Sequence, residues 1–282
     1  MKNCRKLPEP PALTAYRQAK PAAIWDQMRN DPFDDGQQAY LDIKHTLVKG
    51  QRCLCAFCEI SIADNTDDAT IEAKKHMQRV EHFHPKSDQN GPINWALHWP
   101  NLWAVCLGGS QRYAGEDHYL EPLPDNLSCD AFKDHQIDTN KLPNSPEGWI
   151  LAPDEVPAFP LLFQFDPDGK PEPHTQNCAT LELPNHHYQD TATLVSKTIE
   201  HLNLGCMRLN RNRLAVKTVL EKQIKAAREQ SPGIDPQIVL FNLAQRWFSD
   251  DVNSPWPEFF SLIRWRLGDA AEIHLQSIHY GE

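Results

Sequence analysis

The sequence has 282 residues, of which 40% are hydrophobic, and a formal net charge of -10. This hydrophobic content is enough for a packed interior and excludes a globally disordered chain. The negative charge argues against a protein that coats nucleic acid nonspecifically, although a local basic surface could still contact phosphate. Eight cysteines without an apolar signal segment favour metal ligands and buried thiols over disulfides. No apolar run approaches the ~20 residues of a membrane span, so we predict a soluble cytoplasmic protein.

The first 50 residues form a helical arm in our interpretation. Apolar residues at helical spacing predict two helices, Ala15–Arg29 and Phe33–Leu47. We expect Trp25 and Phe33 to pack against the body of the protein. The arm is then either a support for the rest of the chain or a segment that docks a partner.

The cysteine spacing predicts a structural zinc site. Cys55 and Cys58 are separated by two residues, which fits a tight turn that presents both sulfurs to one tetrahedral Zn²⁺. Cys53 offers an alternative pairing. Two further ligands are needed, and Cys106 and Cys129 could supply them, so that four thiolates would join a hairpin to a helix.

The middle of the chain has the pattern of two strands and a helix. Residues 59–79 are polar and predict a surface insertion. The β-prone segment Val80–Phe83 is stopped by Pro85, and Leu102–Cys106 supplies a second strand. The segment 107–128 is irregular, and Cys129–His135 predicts a short helix that opens with its cysteine.

The C-terminal half is predicted to be mostly helical. Leu161–Phe165 reads as a strand followed by a turn. The predicted helices are Thr191–Leu204, Leu209–Gln230, Pro236–Phe248 and Trp256–Leu267. Basic residues outnumber acidic ones across Lys197–Arg228, which indicates either a phosphate-facing surface or an ordinary solvated helix face.

Four residues near the two predicted strands could carry out phosphodiester hydrolysis. A neutral histidine can take a proton from water near pH 7, and His82 is the natural candidate for this base. Glu81 and Asp130 are the nearest acidic groups, and either could hold Mg²⁺ or Mn²⁺, which would stabilise charge on the phosphate. Asn101 would brace the loop through its amide and keep the imidazole aimed.

Other polar residues near His82 are candidates for contact with nucleic acid. Lys86 and Lys133 could bind phosphate or be plain surface lysines. His84 and His135 could assist the metal or bind phosphate.

These motifs together resemble a known family. The sequence Cys55-Ala-Phe-Cys58 is followed by Glu81-His82-Phe83-His84-Pro85-Lys86-Ser87, by Asn101-Leu102, by Cys106 and by Cys129-Asp130-Ala-Phe-Lys133. In this order the motifs resemble an HNH endonuclease of the ββα-metal type. More narrowly, they resemble the HNH effector of Septu-type and retron-linked anti-phage systems.

The resemblance implies a fold, an activity and a partner. It implies an α+β fold, with an HNH core over residues 51–141 between a helical arm over 1–50 and a mostly helical region over 142–282. It implies a DNA-cleaving defence effector that works in a complex with an ABC-type or SMC-like ATPase. It also implies His82 as general base, Asn101 as the middle structural residue, and Asp130 where a third His or Asn usually stands. The implied zinc ligands are Cys55, Cys58, Cys106 and Cys129.

The sequence departs from the family pattern at three positions and leaves two rival functions open. His84 stands where such effectors often carry Arg, Gly109 replaces the second cysteine expected after Cys106, and Asp130 makes the metal ligand more anionic. The rivals are an RNA- or tRNA-cleaving toxin, because the same chemistry attacks either phosphate, and a zinc-stapled adaptor without catalysis.

Overall fold

The structure, a computed structural model, describes residues 1–110 and 121–281. In chain order the strands of these residues are β1 Gln78–His82, β2 Leu102–Cys106, β3 Phe163–Phe165 and β4 Pro171–Pro173. The helices are α1 Pro11–Ala19, α2 Trp25–Arg29, α3 Gly36–Gly50, α4 Asp68–Ala73, α5 Cys129–Asp138, α6 Thr175–Thr180, α7 Thr191–His201, α8 Met207–Gln230, α9 Pro236–Trp247, α10 Phe260–Leu267 and α11 Asp269–Ser277.

Strands β1 and β2 form an antiparallel pair at the centre of the fold. Gln78 lies opposite Cys106, and His82 lies opposite Leu102. The free edge of β2 is covered by Gln51, whose Nε2 donates to the Ala104 carbonyl at 2.6 Å and whose Oε1 accepts from the Ala104 amide at 2.8 Å. Helix α5 packs against β2. The predicted hairpin and helix are therefore confirmed, with boundaries shifted by one to three residues.

The N-terminal arm differs from the prediction. The single helix expected over Ala15–Arg29 is two helices, α1 and α2, separated by a segment that contains Pro21. Proline lacks the amide hydrogen that an uninterrupted helix needs, which accounts for the break. Trp25 is buried as expected, but the prediction for Phe33 is wrong, since its side chain is 91% exposed. Asp31 Oδ1 accepts the Phe33 amide at 3.1 Å in the loop that turns this ring outward.

The polar segment 59–79 is more than a surface insertion. It contains α4 and a short 3₁₀ turn, and it buries Ile62, Ala63 and Ile71 in the main core. Asp67 begins α4 by accepting the Thr70 amide at 2.9 Å. The prediction failed here because only a few apolar residues, spaced without a clear period, supply the buried contacts.

The C-terminal half is helical as predicted, with changes at the ends. Helices α7, α8 and α9 match three predicted segments, whereas α10 begins at Phe260 rather than Trp256. Helices α6 and α11 were not predicted. Strand β3 pairs with β4 across a turn in which Asp166 Oδ1 accepts the Asp168 and Lys170 amides at 2.9 and 2.8 Å.

Two apolar clusters hold these elements together. The larger one contains side chains from the helical arm, the β1–β2 hairpin and the segment that leads to α8. The smaller one lies under α8 to α11 and includes Leu54. Residues from all three predicted regions therefore contribute to the larger cluster.

Part of the irregular segment predicted over 107–128, residues 111–120, lies outside the described residues. Within the described part of the chain, none of the helices has the length and apolar character needed to cross a membrane.

Candidate active site

Four buried cysteines meet at one point. The Sγ atoms of Cys55, Cys58, Cys106 and Cys129 all lie within 4.8 Å of one another. Individual separations are 3.9 Å from Cys55 to Cys129, 3.7 Å from Cys58 to Cys106, and 3.8 Å from Cys106 to Cys129. Four sulfurs bound to one tetrahedral zinc at ~2.3 Å would stand roughly 3.8 Å apart. The cluster could therefore hold zinc, and Cys53, although buried, stands outside it.

The turn after β2 is shaped to present its sulfur. The Gly108 amide donates to Cys106 Sγ at 3.3 Å. Gly109 has φ of 75°, and a Cβ there would lie 2.5 Å from the Asn126 carbonyl oxygen. Because no side chain fits at this position, the second cysteine of the family pattern has no place in this turn. The fourth sulfur comes instead from Cys129, at the start of α5.

Two arginines of α8 lie close to the sulfur cluster. Arg213 is buried and donates to the Leu204 carbonyl at 2.7 Å, while Arg208 donates to Ser128 Oγ at 2.7 Å. Both guanidiniums interact electrostatically with Cys58 and Cys129. Two residues of the basic stretch Lys197–Arg228 thus face the interior, where they would offset the negative charge of four thiolates around a divalent ion.

A groove of about 920 Å³ runs between β1 and α5. It is lined by Glu81, His82, Asp130 and Lys133, together with Arg79, Lys86 and Asp134. Strand β1 contributes residues 79–82, and α5 contributes one helical face, which includes Asp130, Asp134 and Asp138. The structure therefore brings three of the four predicted catalytic residues, His82, Glu81 and Asp130, to the lining of one groove.

His82 lies at the end of β1 and is 7% exposed. Its Nε2 is 3.1 Å from the Ala96 carbonyl oxygen. A carbonyl can only accept, so Nε2 carries the hydrogen and Nδ1 keeps a free lone pair. The Trp25 ring packs edge-on against the imidazole, with 4.6 Å between centroids. Burial lowers the pKa of His82 to about 4, which keeps the ring neutral at pH 7.

Asn101 braces the backbone around His82. Its Oδ1 accepts the His84 amide at 2.7 Å, and its Nδ2 donates to the His84 and Trp95 carbonyls at 2.9 and 3.0 Å. The side chain is buried, so these three bonds are shielded from water. Asn101 therefore fixes the turn that follows the histidine and does not line the groove.

The carboxylates of Glu81 and Asp130 repel each other electrostatically in the groove. Glu81 forms an ion pair with Lys133, and Asp130 forms one with Arg79. Asp130 is 2% exposed, and its Oδ1 has no hydrogen-bond partner among the described residues. Burial and the neighbouring Glu81 carboxylate raise the pKa of Asp130. An unpartnered buried oxygen beside a second carboxylate is a suitable donor set for a divalent cation.

The residues predicted to contact nucleic acid occupy different environments. Lys86 is exposed at the edge of the groove. Lys133 is buried, and its Nζ donates to the His82 and Phe83 carbonyls, both at 3.0 Å, in addition to its ion pair with Glu81. His84 lies outside the groove lining, with its two ring nitrogens 2.9 Å from Asp88 Oδ2 and Glu147 Oε1. His135 also lies outside it.

The sequence contained signals for three groove residues that our prediction missed. Arg79 stands two residues before Glu81, so both side chains lie on one face of β1. Asp134 and Asp138 follow the predicted Asp130 at intervals of four residues and line the groove with it from one face of α5. No local pattern connects Trp25 with the imidazole of His82, because that contact depends on how α2 packs.

Comparison with known proteins identifies the family. No family model matches the sequence. The chain is 35% identical over 267 residues to "Retron Ec83 putative HNH endonuclease" from Escherichia coli, an alignment that covers 94% of this chain and 92% of that protein. The similarity therefore extends through the arm, the hairpin and the C-terminal helices. This chain belongs to the HNH endonucleases, as a nuclease related to retron-associated proteins.

Proposed function

We propose that this nuclease cleaves phosphodiester bonds in DNA with the help of a divalent cation, Mg²⁺ or Mn²⁺. The observation that carries the proposal is the convergence of His82, Glu81 and Asp130 on one groove. A neutral base and a pair of carboxylates are what hydrolysis of a phosphodiester requires from the protein.

His82 is the proposed general base. Its Nδ1 lone pair would accept the proton of the attacking water, while the hydrogen bond from Nε2 to Ala96 holds the tautomer. Trp25 limits rotation of the ring, and Asn101 fixes the turn behind it. These contacts reduce the reorganisation needed when the proton moves.

Glu81 and Asp130 would hold the catalytic cation. When bound there, the cation neutralises charge that develops on the phosphate and the departing oxygen. Lys133 and Arg79 are the charge partners of these carboxylates in the structure, and each would share its carboxylate with the incoming ion. Lys133 also anchors the backbone of His82 and Phe83, so we assign it to positioning and leave phosphate contact to Lys86.

The four-cysteine cluster would hold structural zinc. Cys55, Cys58, Cys106 and Cys129 match a closed tetrahedral set, with no position left for a substrate. The bound ion would supply folding free energy by joining the turn after α3, the end of β2 and the start of α5.

We also infer a defence role under the control of an ATPase partner. The support is the resemblance of the motifs to retron-linked and Septu-type effectors, the word retron in the name of the E. coli relative, and the net charge of -10. An acidic nuclease has weak intrinsic attraction for DNA, so a partner that delivers the substrate would control its activity in the cytoplasm.

Replacing His82 with Ala should lower cleavage by about 10²- to 10⁴-fold, since the variant loses the proton acceptor. The measurement is a time course on matched DNA and RNA of the same sequence with added Mg²⁺ or Mn²⁺. His187→Ala is the control, because His187 is exposed on another part of the surface, next to Trp149.

A His82→Ala variant that keeps full activity would contradict the assignment of the base. Faster cleavage of RNA than of DNA would instead assign RNA as the substrate, and the proposed chemistry would be unchanged. Chelators should be avoided in this assay, because they would also remove a structural zinc.

The pH dependence should separate the two roles in the groove. The base must be neutral, and burial lowers the pKa of His82 to about 4, so activity is retained as pH falls until that value is reached. At saturating cation, kcat/KM should change by less than about twofold between roughly pH 5.5 and 7. At limiting cation, the apparent affinity for Mg²⁺ should weaken as pH falls, because burial raises the pKa of Asp130 and protons compete for its carboxylate.

An acid limb near pH 6.5 at saturating cation would mean that the titrating base is a hydrated histidine rather than buried His82. The measurement is a set of initial rates at each pH with the cation titrated to saturation.

Metal analysis of the purified chain should find about one zinc per chain. Cys58→Ser should lose the zinc and lower the melting temperature, because one ligand of the closed site is gone. The control is Cys178→Ser, since Cys178 is buried in the apolar core outside the cysteine cluster and its Sγ donates to the Leu162 carbonyl at 3.5 Å. Full zinc content in Cys58→Ser, or equal loss in both variants, would exclude the assigned ligand set.

The partner hypothesis predicts that the isolated chain cleaves DNA more slowly than the chain bound to its ATPase. Rates measured on the same DNA at equal nuclease concentration test this. Equal rates would show that the nuclease does not depend on delivery of its substrate.

A further inference from the structure

A second groove, of about 1010 Å³, lies away from the candidate active site. The two grooves share no lining residue. Its walls come from the N-terminal segment, the end of α3, the loop before α4, the loop between α9 and α10, and residues 278–281.

The charge of this groove is opposite to that of the chain. The whole sequence has 28 basic and 38 acidic residues. The groove is lined by two aspartates, Asp67 and Asp250, and by five cations, Lys2, Arg5, Lys6, Lys49 and Arg52. A concentration of positive charge in an acidic protein produces a local field that attracts anions.

Four of the five cations lack a carboxylate partner within the described residues. Lys49 pairs with Asp68 at 2.7 Å. By contrast, Lys6 Nζ donates to the Trp99 carbonyl at 2.6 Å, and Arg52 donates to the Ser254 and Ser249 carbonyls at 2.7 and 3.1 Å. Lys2 Nζ donates to the Asn3 carbonyl at 3.3 Å and to Cys4 Sγ at 3.5 Å.

Arg5 is exposed, and its guanidinium makes no hydrogen bond or ion pair within residues 1–110 and 121–281. Burial lowers the pKa of Lys6 to about 7, and the charge of Asp154 offsets this shift only in part. An anion in the groove would offset the electrostatic cost of these groups.

One aromatic ring packs on a cation of the groove. The Arg52 guanidinium lies 4.0 Å from the centroid of the Trp256 ring, which is buried and also contacts Phe248 and Phe260. Trp256 therefore holds this guanidinium in place, and the cations are the groups that recognise a ligand. Guanidinium and ammonium groups bind phosphate, and a guanidinium does so through paired hydrogen bonds.

We propose that this groove binds the phosphate groups of a nucleic-acid strand or of a nucleotide. Binding here is independent of cleavage, because none of the residues of the candidate active site takes part. If the ligand is a strand, the groove supplies attraction that the net negative charge of the chain does not.

The test is a binding measurement with the full chain. Fluorescently labelled single-stranded DNA and RNA of the same sequence are titrated in the His82→Ala background without chelator, so that the zinc is retained and cleavage is suppressed. The variant is Arg5→Glu. The matched control is Arg211→Glu, which makes the same change of charge at an exposed position of α8 whose side chain has no partner among the described residues.

Arg5→Glu should weaken strand binding by about 5- to 10-fold at low salt and reduce the salt slope by about 1, because it removes one phosphate contact and adds a repulsive charge. Arg211→Glu should change binding by less than about twofold. Competition by ATP and by inorganic pyrophosphate distinguishes the sources. Strong displacement of the strand by ATP assigns the groove to a nucleotide, and weak displacement assigns it to the strand.

Equal weakening by Arg5→Glu and Arg211→Glu would overturn the proposal, since it would reflect net charge alone. Absence of binding to the oligonucleotides, ATP and pyrophosphate would also overturn it, as would stronger binding of a poly-glutamate peptide than of either strand. These outcomes concern binding only, so they are distinct from failure of the proposed nuclease mechanism.

Discussion

The meeting of four cysteine sulfurs is the constraint on which the rest of the site depends. Cys55 and Cys58 lie in the turn after α3, Cys106 ends β2, and Cys129 begins α5. Strand β2 fixes the register of β1, which carries the histidine, and α5 carries Asp130. A hairpin of two five-residue strands would be marginally stable in water by itself. The position of the groove between β1 and α5 therefore depends on the contacts that bring the four sulfurs together.

Buried charge is balanced locally throughout this region. Lys133 faces Glu81, Arg79 faces Asp130, and two arginines of α8 face the sulfur cluster. A buried ion without a partner costs several kcal/mol, so each of these cations restricts where its neighbour can lie. With a divalent ion held by four thiolates, the two arginines would tie α8 to the hairpin by electrostatics as well as by apolar contact.

In our proposals the two grooves divide the tasks of chemistry and attraction. The groove beside His82 carries the carboxylates, which suit a divalent cation but repel phosphate in its absence. The groove beside Arg5 carries five cations, of which four lack an ion-pair partner within the described residues. In a chain of net charge -10, such separation would let a metal-binding site and an anion-binding site coexist without cancelling each other.

Local sequence patterns were enough for the features that depend on near neighbours. The close pair Cys55 and Cys58, the strand that carries His82, and most helices of the C-terminal half follow from backbone rules that act over a few residues. Tertiary structure alone decided that Lys133 turns inward to a carboxylate, and that Phe33 remains in water. It also brought Cys106 and Cys129, which the motifs had already indicated, to Cys55 and Cys58. Burial and ion pairing depend on segments far apart in the chain, and local sequence patterns contain no information about those contacts.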